Sequence, residues 1–369
     1  MFMSNQDQLY IRYSDDVEVK QPDEDKTIED IIASFERMRR FVYDKHRHAM
    51  RGAHAKGHGA VKGKLTIYDN LPTELRQGLF REPRTYDVII RFSNAPGDII
   101  PDAVSSFRGM AIKVIGVEGR KVLEEKASAL TQDFLMINHP SFPSGDVKKY
   151  LVEQLAQEKV VTVPEEAQQL VTTALRTVNA VTEKVGLEIY PTSLGITKPE
   201  THILGDTFFT TAALRYGDYI AKISAVPVSE SLIPLIGKHI KVDNHSVLRD
   251  LIVEFFRENG AEYELRAQLC TNLERMPVED AGVVWPEEES QYQPIGKITI
   301  PPQDAYSPAR RVYADEVLSF SSWNCIPEHR PLGSIQRVRL KAYETSSRFR
   351  HEMNQQPRVE PRSIDEMPD

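Results

Sequence analysis

The chain has 369 residues, of which 40% are hydrophobic and 27% charged, enough for a large core in one domain or a few smaller ones. Its net charge of −8 argues against a general affinity for nucleic acid or for an anionic membrane surface. Cys270 and Cys325 lie far apart and outside any Cys-x-x-Cys motif. This spacing argues against a disulfide framework or a cysteine-based zinc site and favours a reducing compartment.

The N-terminus lacks the basic start and apolar stretch of a secretory signal, and no apolar run reaches bilayer-spanning length. We therefore expect a cytoplasmic protein without an integral membrane segment.

Residues 1–25 are acidic and polar, typical of an arm. Thr27 and Asp30 then have the spacing of a capping box, and the apolar residues that follow at helical spacing predict a helix over residues 28–44.

From about residue 52 to residue 138, apolar and polar residues alternate, which is typical of strands separated by turns. The strands predicted in this part lie at residues 65–68, 86–92 and 109–115, with a further hydrophobic strand ending before Asn138. Residues 146–186 have helical periodicity.

The C-terminal half returns to strands and ends in a helix. The predicted elements are strands at 207–210, 218–223, 261–270 and 295–300, a helix at 246–258, and a basic helix from about residue 331 that includes Tyr343. The Gln-, Pro- and Glu-rich sequence after Met353 predicts a frayed end.

This pattern of strands interrupted by helical insertions predicts an α+β fold. The simplest arrangement is a closed antiparallel β-barrel of about eight strands, with a C-terminal helix packed against it. We divide the chain into an N-terminal arm and helix at residues 1–45, the barrel with its insertions at 46–330, and the C-terminal helix and tail at 331–369.

Four short segments hold the residues that could carry chemistry. Each has a structural alternative when taken alone: a surface loop with histidines, an outward polar strand face, the end of a strand, and a chance Arg-x-x-x-Tyr spacing. Alternation places Arg91 and Ser93 on one face of their strand and Phe92 on the other, and an Arg and a Ser that pointed into a barrel would need a partner. The segments are Arg51-Gly52-Ala53-His54-Ala55-Lys56-Gly57, Ile90-Arg91-Phe92-Ser93-Asn94, Asn138-His139-Pro140-Ser141-Phe142 and Arg339-Leu340-Lys341-Ala342-Tyr343.

In their order and flanking residues, these four segments resemble the catalase family. Phe107-Arg108-Gly109 and Phe320-Ser321-Ser322-Trp323-Asn324 extend the resemblance, which spans roughly residues 45–350. The chain resembles a short, core-only member, and no motif supports a nucleotide site of the NADPH type.

The resemblance implies a haem b cofactor whose iron is bound by the phenolate of Tyr343. It implies that Arg339, one helical turn earlier, keeps that phenolate ionised, because a neighbouring guanidinium favours the charged form. It further implies that Arg51, Arg91 and Arg350 bind the haem propionates, a task suited to the two-pronged guanidinium.

On the opposite side of the haem, the resemblance makes His54 the group that takes a proton from a bound peroxide and returns it to the leaving oxygen. Ser93 corresponds to the residue that orients this histidine. Asn138 corresponds to the asparagine that hydrogen-bonds the peroxide, and Phe142 to an aromatic near the haem face. The segment is one residue shorter than the family's Asn-Asn-Thr-Pro-x-Phe pattern.

The implied activity is cleavage of hydrogen peroxide or an organic hydroperoxide by a haem catalase or peroxidase, in response to oxidative stress. Two alternatives stay open: a catalase-related enzyme that rearranges fatty-acid hydroperoxides, and a haem-binding barrel without turnover. A third possibility is a metal site built from His46, His48, His54 and His58, which the surrounding positive charges disfavour. The expected partners are a small-molecule peroxide and further copies of the same chain.

Overall fold

The computed structural model describes residues 9–160, 162–164, 167 and 200–369. Its strands pair in the antiparallel order β1–β2–β3–β4–β5–β7–β8–β9, and β9 returns to β1, which closes an eight-stranded barrel. A short ninth strand, β6, pairs with β7 outside this ring. The strands are β1 Gly57–Ile67, β2 Thr85–Asn94, β3 Arg108–Ile115, β4 Thr131–Ile137, β5 Phe208–Phe209, β6 Leu214–Tyr216, β7 Tyr219–Pro227, β8 Ala261–Leu269 and β9 Gln293–Ile300. The predicted closed barrel is confirmed.

Five α-helices decorate the barrel in the described residues: α1 Glu24–His46, α2 Val147–Val160, α3 Val247–Glu258, α4 Pro308–Val312 and α5 Ser334–Met353. The predicted N-terminal, central and C-terminal helices correspond to α1, α3 and α5. α2 covers the start of the helical stretch predicted for 146–186, most of the remainder of which lies outside the described residues. The predicted capping box is wrong, because α1 already begins at Glu24 and the Thr27 hydroxyl donates to the Asp23 carbonyl at 3.0 Å.

The barrel interior is built from the alternate residues of each strand. On β2, Val88, Ile90 and Phe92 are completely buried and belong to one large apolar cluster, as does Ile112 of β3. Because successive strand residues point to opposite faces, Arg91 and Ser93 lie on the outer face of β2. Arg91 and Ser93 therefore do not point into the barrel, and they share the outer face of β2 with Ile89, which is buried in a separate apolar cluster.

Helices α1, α2 and α5 pack against one another through an apolar cluster of their own. Ile31 and Phe35 of α1 meet Val147 of α2 and Val338 of α5. This packing holds α5, and with it Tyr343, in a fixed position outside the barrel.

The residues after Met353 are ordered against the barrel, so the predicted frayed end is wrong. Glu360 binds Lys113 and Lys126, each at 2.7 Å, and Met367 is completely buried. The sequence hid this arrangement because the partners lie more than 200 positions away along the chain.

The division into segments at 45/46 and 330/331 stays a prediction. In the described part of the chain, no helix combines the length and apolarity needed to cross a bilayer.

Candidate active site

His54 lies in the loop between α1 and β1, in a backbone conformation that few residues adopt. Its φ is +55°, in the left-handed region, which is unfavourable for a side chain with a Cβ atom. The conformation is held by hydrogen bonds from His54 N–H to the Ala95 carbonyl at 2.8 Å and from Arg91 to the His54 carbonyl at 3.0 Å. Strain that is kept in this way is typical of functional positions.

The His54 ring rests between two neighbours on adjacent strands. Its Nδ1 atom is 3.0 Å from the hydroxyl of Ser93, which is 2% exposed. The ring also lies against Gly109 of β3, where an added Cβ atom would be only 2.6 Å from Nδ1 and Cε1 of His54. Gly109 therefore makes space for the imidazole, and Ser93 fixes its orientation.

The environment of His54 keeps its ring neutral. Removal from solvent, and then the positive charges of Arg91, Arg339 and Arg51, lower the pKa of His54 from 6.5 to about 3. A neutral imidazole keeps a lone pair that can accept a proton.

Three arginines converge beside His54 on the segment 314–319. We call them the arginine cluster, and they are Arg51, Arg91 and Arg350. The segment belongs mainly to a π-helical turn at Tyr313–Val317 that follows α4. Arg51 donates to the carbonyls of Ala314 and Leu318 at 2.6 and 2.7 Å, and Arg350 donates to the Leu318 carbonyl at 2.9 Å. The structure thus brings the three predicted propionate ligands together.

The arginine cluster carries more positive charge than its contacts neutralise. Asp315 is the carboxylate that it binds directly, at 3.4 Å from Arg51 and 3.2 Å from Arg91. Burial, and then the charges of Arg91 and Arg350, lower the pKa of Arg51 well below its usual value. The Nε atoms of Arg91 and Arg350 are buried without a hydrogen-bond partner. Such a site favours an anionic ligand, since buried charge needs a counter-charge.

The helix α5 brings Arg339 and Tyr343 to the same side of the molecule as His54. Arg339 is 9% exposed, and its Nη1 atom is buried without a partner. Tyr343 is half-buried and lines a cavity of about 240 Å³. Three residues later, the Ser346 hydroxyl accepts a hydrogen bond from Gly52 N–H at 2.8 Å. The loop that carries His54 is therefore attached to the helix that carries Tyr343.

Asn138 follows the last residue of β4, and its carboxamide is engaged at both ends. The oxygen accepts from Arg108 N–H at 2.9 Å, and the nitrogen donates to Asp206 at 3.0 Å. Arg108 also pairs with Asp206 at 3.2 Å. The orientation of this asparagine is thus set by Arg108 and Asp206, and Asp206 gave no signal in the sequence.

Phe142 and an unpredicted residue, Tyr150, lie near Arg339. The Arg339 guanidinium is 5.1 Å from the Phe142 ring centre, and Tyr150 of α2 meets Phe142 edge to face at 5.4 Å. Burial raises the pKa of Tyr150, and the charge of Arg339 opposes that rise. A single tyrosine eight positions after Phe142 gave no signal in the sequence, because only the packing of α2 against α5 brings it here.

The fold has known counterparts among solved structures. A fungal catalase matches with a TM-score of 0.58 at 17% identity, over 88% of this chain and 67% of that chain. A bacterial catalase matches with a TM-score of 0.56 at 16% identity, over 84% of this chain and 59% of that one. The chain has a catalase-like fold. Catalase A from Saccharomyces cerevisiae gives a TM-score of 0.55 at 16% identity, over 88% and 69% of the two chains.

No protein-family profile and no curated protein sequence matches the chain. At these identities the comparisons extend to the catalase-like fold and not to an activity. The chain spans between 59% and 69% of the length of each of these catalases.

The residues present fit haem, the cofactor that a catalase-like fold implies. Arg339 offers an unpaired buried guanidinium nitrogen one turn before Tyr343, and the arginine cluster has surplus positive charge for carboxylates.

The alternative metal site is not supported: His46 pairs with Asp98 at 2.6 Å and His48 with Glu316 at 2.8 Å. Within the described residues, no group of three or more His, Cys, Asp or Glu side chains could hold a metal ion.

Proposed function

We propose that this chain is a haem-dependent oxidoreductase that cleaves hydroperoxides, acting as a catalase or peroxidase. The observation that carries the proposal is the environment of His54: a neutral imidazole, fixed by Ser93, within reach of the charges of both the arginine cluster and Arg339. The catalase-like fold supports it, because the same elements would place these groups around one planar cofactor.

The residues that would hold haem b come from both sides of the site. The Tyr343 phenolate would bind the iron, and Arg339, one helical turn earlier, has a buried guanidinium nitrogen without a partner. Arg51, Arg91 and Arg350 would bind the propionates, and Phe142 would lie near the haem face. Haem, when bound, supplies the iron that exchanges electrons with the peroxide.

His54 moves the proton in this mechanism. It accepts the proton of the hydroperoxide and returns it to the leaving oxygen, so that water or an alcohol departs instead of a strong base. Ser93 holds Nδ1, which leaves Nε2 for the substrate. Asn138, oriented by Arg108 and Asp206, would hydrogen-bond the peroxide.

The test is peroxide consumption by the haem-loaded protein, with release of O₂ recorded in parallel. Replacement His54→Gln should keep haem bound and reduce the initial rate by about 10²–10⁴-fold, the usual contribution of a general acid–base group. The exposed His239→Gln is the matched control and should consume peroxide at the wild-type rate. A His54→Gln rate within a few-fold of wild type refutes the role of His54. Release of one O₂ for every two peroxides distinguishes a catalase from a peroxidase.

The resemblance also implies a homo-oligomer, which light scattering of the purified protein would test.

Cys270 and Cys325 are both free and buried. Free thiols are consistent with our proposal of a cytoplasmic, reducing environment.

A further inference from the structure

A cavity of about 430 Å³ opens beside the arginine cluster, and its charge is unevenly distributed. Four arginines contribute to its wall: Arg51 and Arg350 of the cluster, and Arg249 and Arg311 nearer the surface. Two acids face them, Asp315 and Glu316. Although the acids are neighbours in sequence, they have different partners.

Asp315 is bound to the arginines themselves. Its Oδ1 atom is 3.4 Å from Arg51 and 3.2 Å from Arg91, and its Oδ2 atom is 4.0 Å from Arg311. The side chain of Arg91 is 3% exposed and that of Asp315 is 28% exposed. Asp315 therefore reaches from the open side of the cavity towards two enclosed guanidinium groups.

Glu316 points its carboxylate elsewhere. Its two oxygens bind His48 and Asn354, each at 2.8 Å. It meets the arginine cluster through its backbone carbonyl, which accepts from Arg350 at 2.7 Å. A carbonyl satisfies a hydrogen bond but does not neutralise a full charge.

The charges in direct contact do not balance. The three guanidinium groups of the cluster have one carboxylate at ion-pair distance, that of Asp315, and the Glu316 carboxylate acts on Arg350 and Arg51 only from farther away. Direct ion pairing therefore leaves two of the three positive charges without a carboxylate. Most remaining contacts of Arg51 and Arg350 are to neutral backbone carbonyls. A ligand with two carboxylates would supply the two missing negative charges, and it would have to share the arginines with Asp315.

We propose that Asp315 is a resident counter-charge of the arginine cluster, which stabilises the ligand-free protein and competes with the carboxylates of the incoming ligand. The inference rests on the proposed function, in which that ligand is haem and the carboxylates are its propionates. Asp315 then acts as a positioning residue: it keeps the arginines in place before the ligand arrives and limits how tightly the ligand binds.

The experiment compares four proteins: wild type, Asp315→Asn, Asp315→Glu and Glu316→Gln. Two quantities are measured, the thermal midpoint of the haem-free protein, with and without succinate as a simple dicarboxylate, and the haem affinity from an absorption titration. Asp315→Ser, which removes the same charge with a smaller side chain, repeats the test if the asparagine variant does not fold.

Asp315→Asn should lower the thermal midpoint by a few degrees, since it exposes the arginines to their mutual repulsion. Succinate should restore part of that loss and should stabilise the wild type less. Haem should bind Asp315→Asn about tenfold more tightly than wild type, because a competing charge at contact distance has gone. Asp315→Glu retains the charge and should resemble wild type. Glu316→Gln should raise the haem affinity by clearly less than Asp315→Asn does, because the Glu316 carboxylate binds His48 and Asn354 and acts on Arg350 and Arg51 only from beyond contact distance.

Equal or weaker haem binding by Asp315→Asn overturns the inference and leaves the haem proposal intact. If the wild type binds no haem, the proposed function falls, and the thermal midpoints with succinate still decide the role of Asp315. If Glu316→Gln raises the haem affinity as much as Asp315→Asn does, the net charge of the protein alone determines how tightly haem binds, which also contradicts the inference.

Discussion

The inner and outer faces of strands β2 and β3 differ in whether their buried side chains keep polar atoms without a hydrogen-bond partner. Inside the barrel, Ile90, Phe92 and Ile112 are fully buried in apolar surroundings and need no partner. Outside, Arg91 and Ser93 are also buried, yet Arg91 keeps an unpaired nitrogen and a surplus of charge. The inner-face residues thus stabilise the barrel by apolar packing alone, whereas the buried Arg91 on the outer face keeps a hydrogen-bond donor without a partner.

A replacement on the outer face should strongly reduce turnover without unfolding the barrel. In Gly109→Val the new side chain would meet the His54 ring, whose atoms are 2.6 Å from the Cβ position. Displacement of a catalytic group by about 1 Å lowers rates by about 10²-fold. We expect a loss of that size in peroxide consumption per bound haem. Unchanged turnover in a folded Gly109→Val protein would contradict the placement of His54.

The opposite result is expected for a replacement on the inner face. Ile112→Ala leaves a void in the barrel and should lower the free energy of unfolding by about 2–5 kcal/mol. Chemical denaturation measures this loss. Peroxide turnover per bound haem should stay at the wild-type level at low temperature, and a parallel loss of turnover would show that the two faces are not independent.

Buried histidines should make the free energy of unfolding depend on pH. Apolar core residues have no titratable group and add no such dependence. Burial lowers the pKa of both His58 and His329 from 6.5 to about 3. Between those values the unfolded chain binds protons that the folded protein does not, so stability falls as the pH decreases from about 6.5 towards 3. The slope is at most about 1.4 kcal/mol per pH unit for each histidine. Denaturant unfolding at pH 7, 6 and 5 measures it, and His58→Leu should reduce the slope by one histidine's share.

The smallest effect is expected for Ser93→Ala, which removes one hydrogen bond from the outer face. Loss of a bond of about 1 kcal/mol corresponds to roughly a fivefold lower turnover if it acts on the orientation of His54. Haem content and thermal midpoint should change little. Ser93→Thr keeps the hydroxyl and should recover most of the rate, and a failure to do so would separate Ser93 from the role assigned to it.

The sequence predicted the features that depend on neighbours along the chain. Alternation at Ile90-Arg91-Phe92-Ser93 placed Arg91 and Ser93 on one face, and helical spacing placed Arg339 one turn before Tyr343. Both patterns follow from local backbone geometry, so a single sequence is enough to recognise them.

Features that depend on distant contacts were missed. Asp315 meets Arg51 and Arg91 from more than 200 positions away, and no local pattern marks it. Tyr150 reaches Phe142 through helix packing, and Glu360 anchors a tail whose composition predicted fraying. Only the closed barrel with its outer helices brings these groups together.

The most direct test of the account is an absorption titration of the purified protein with haem, for wild type and Tyr343→Phe. We expect the wild type to bind one haem per chain, and Tyr343→Phe to lose most of that binding or to give a shifted spectrum. Tyr86→Phe, a change on the barrel away from the site, should behave as wild type. A wild-type protein that stays colourless, or a Tyr343→Phe protein with unchanged affinity and spectrum, would contradict the account.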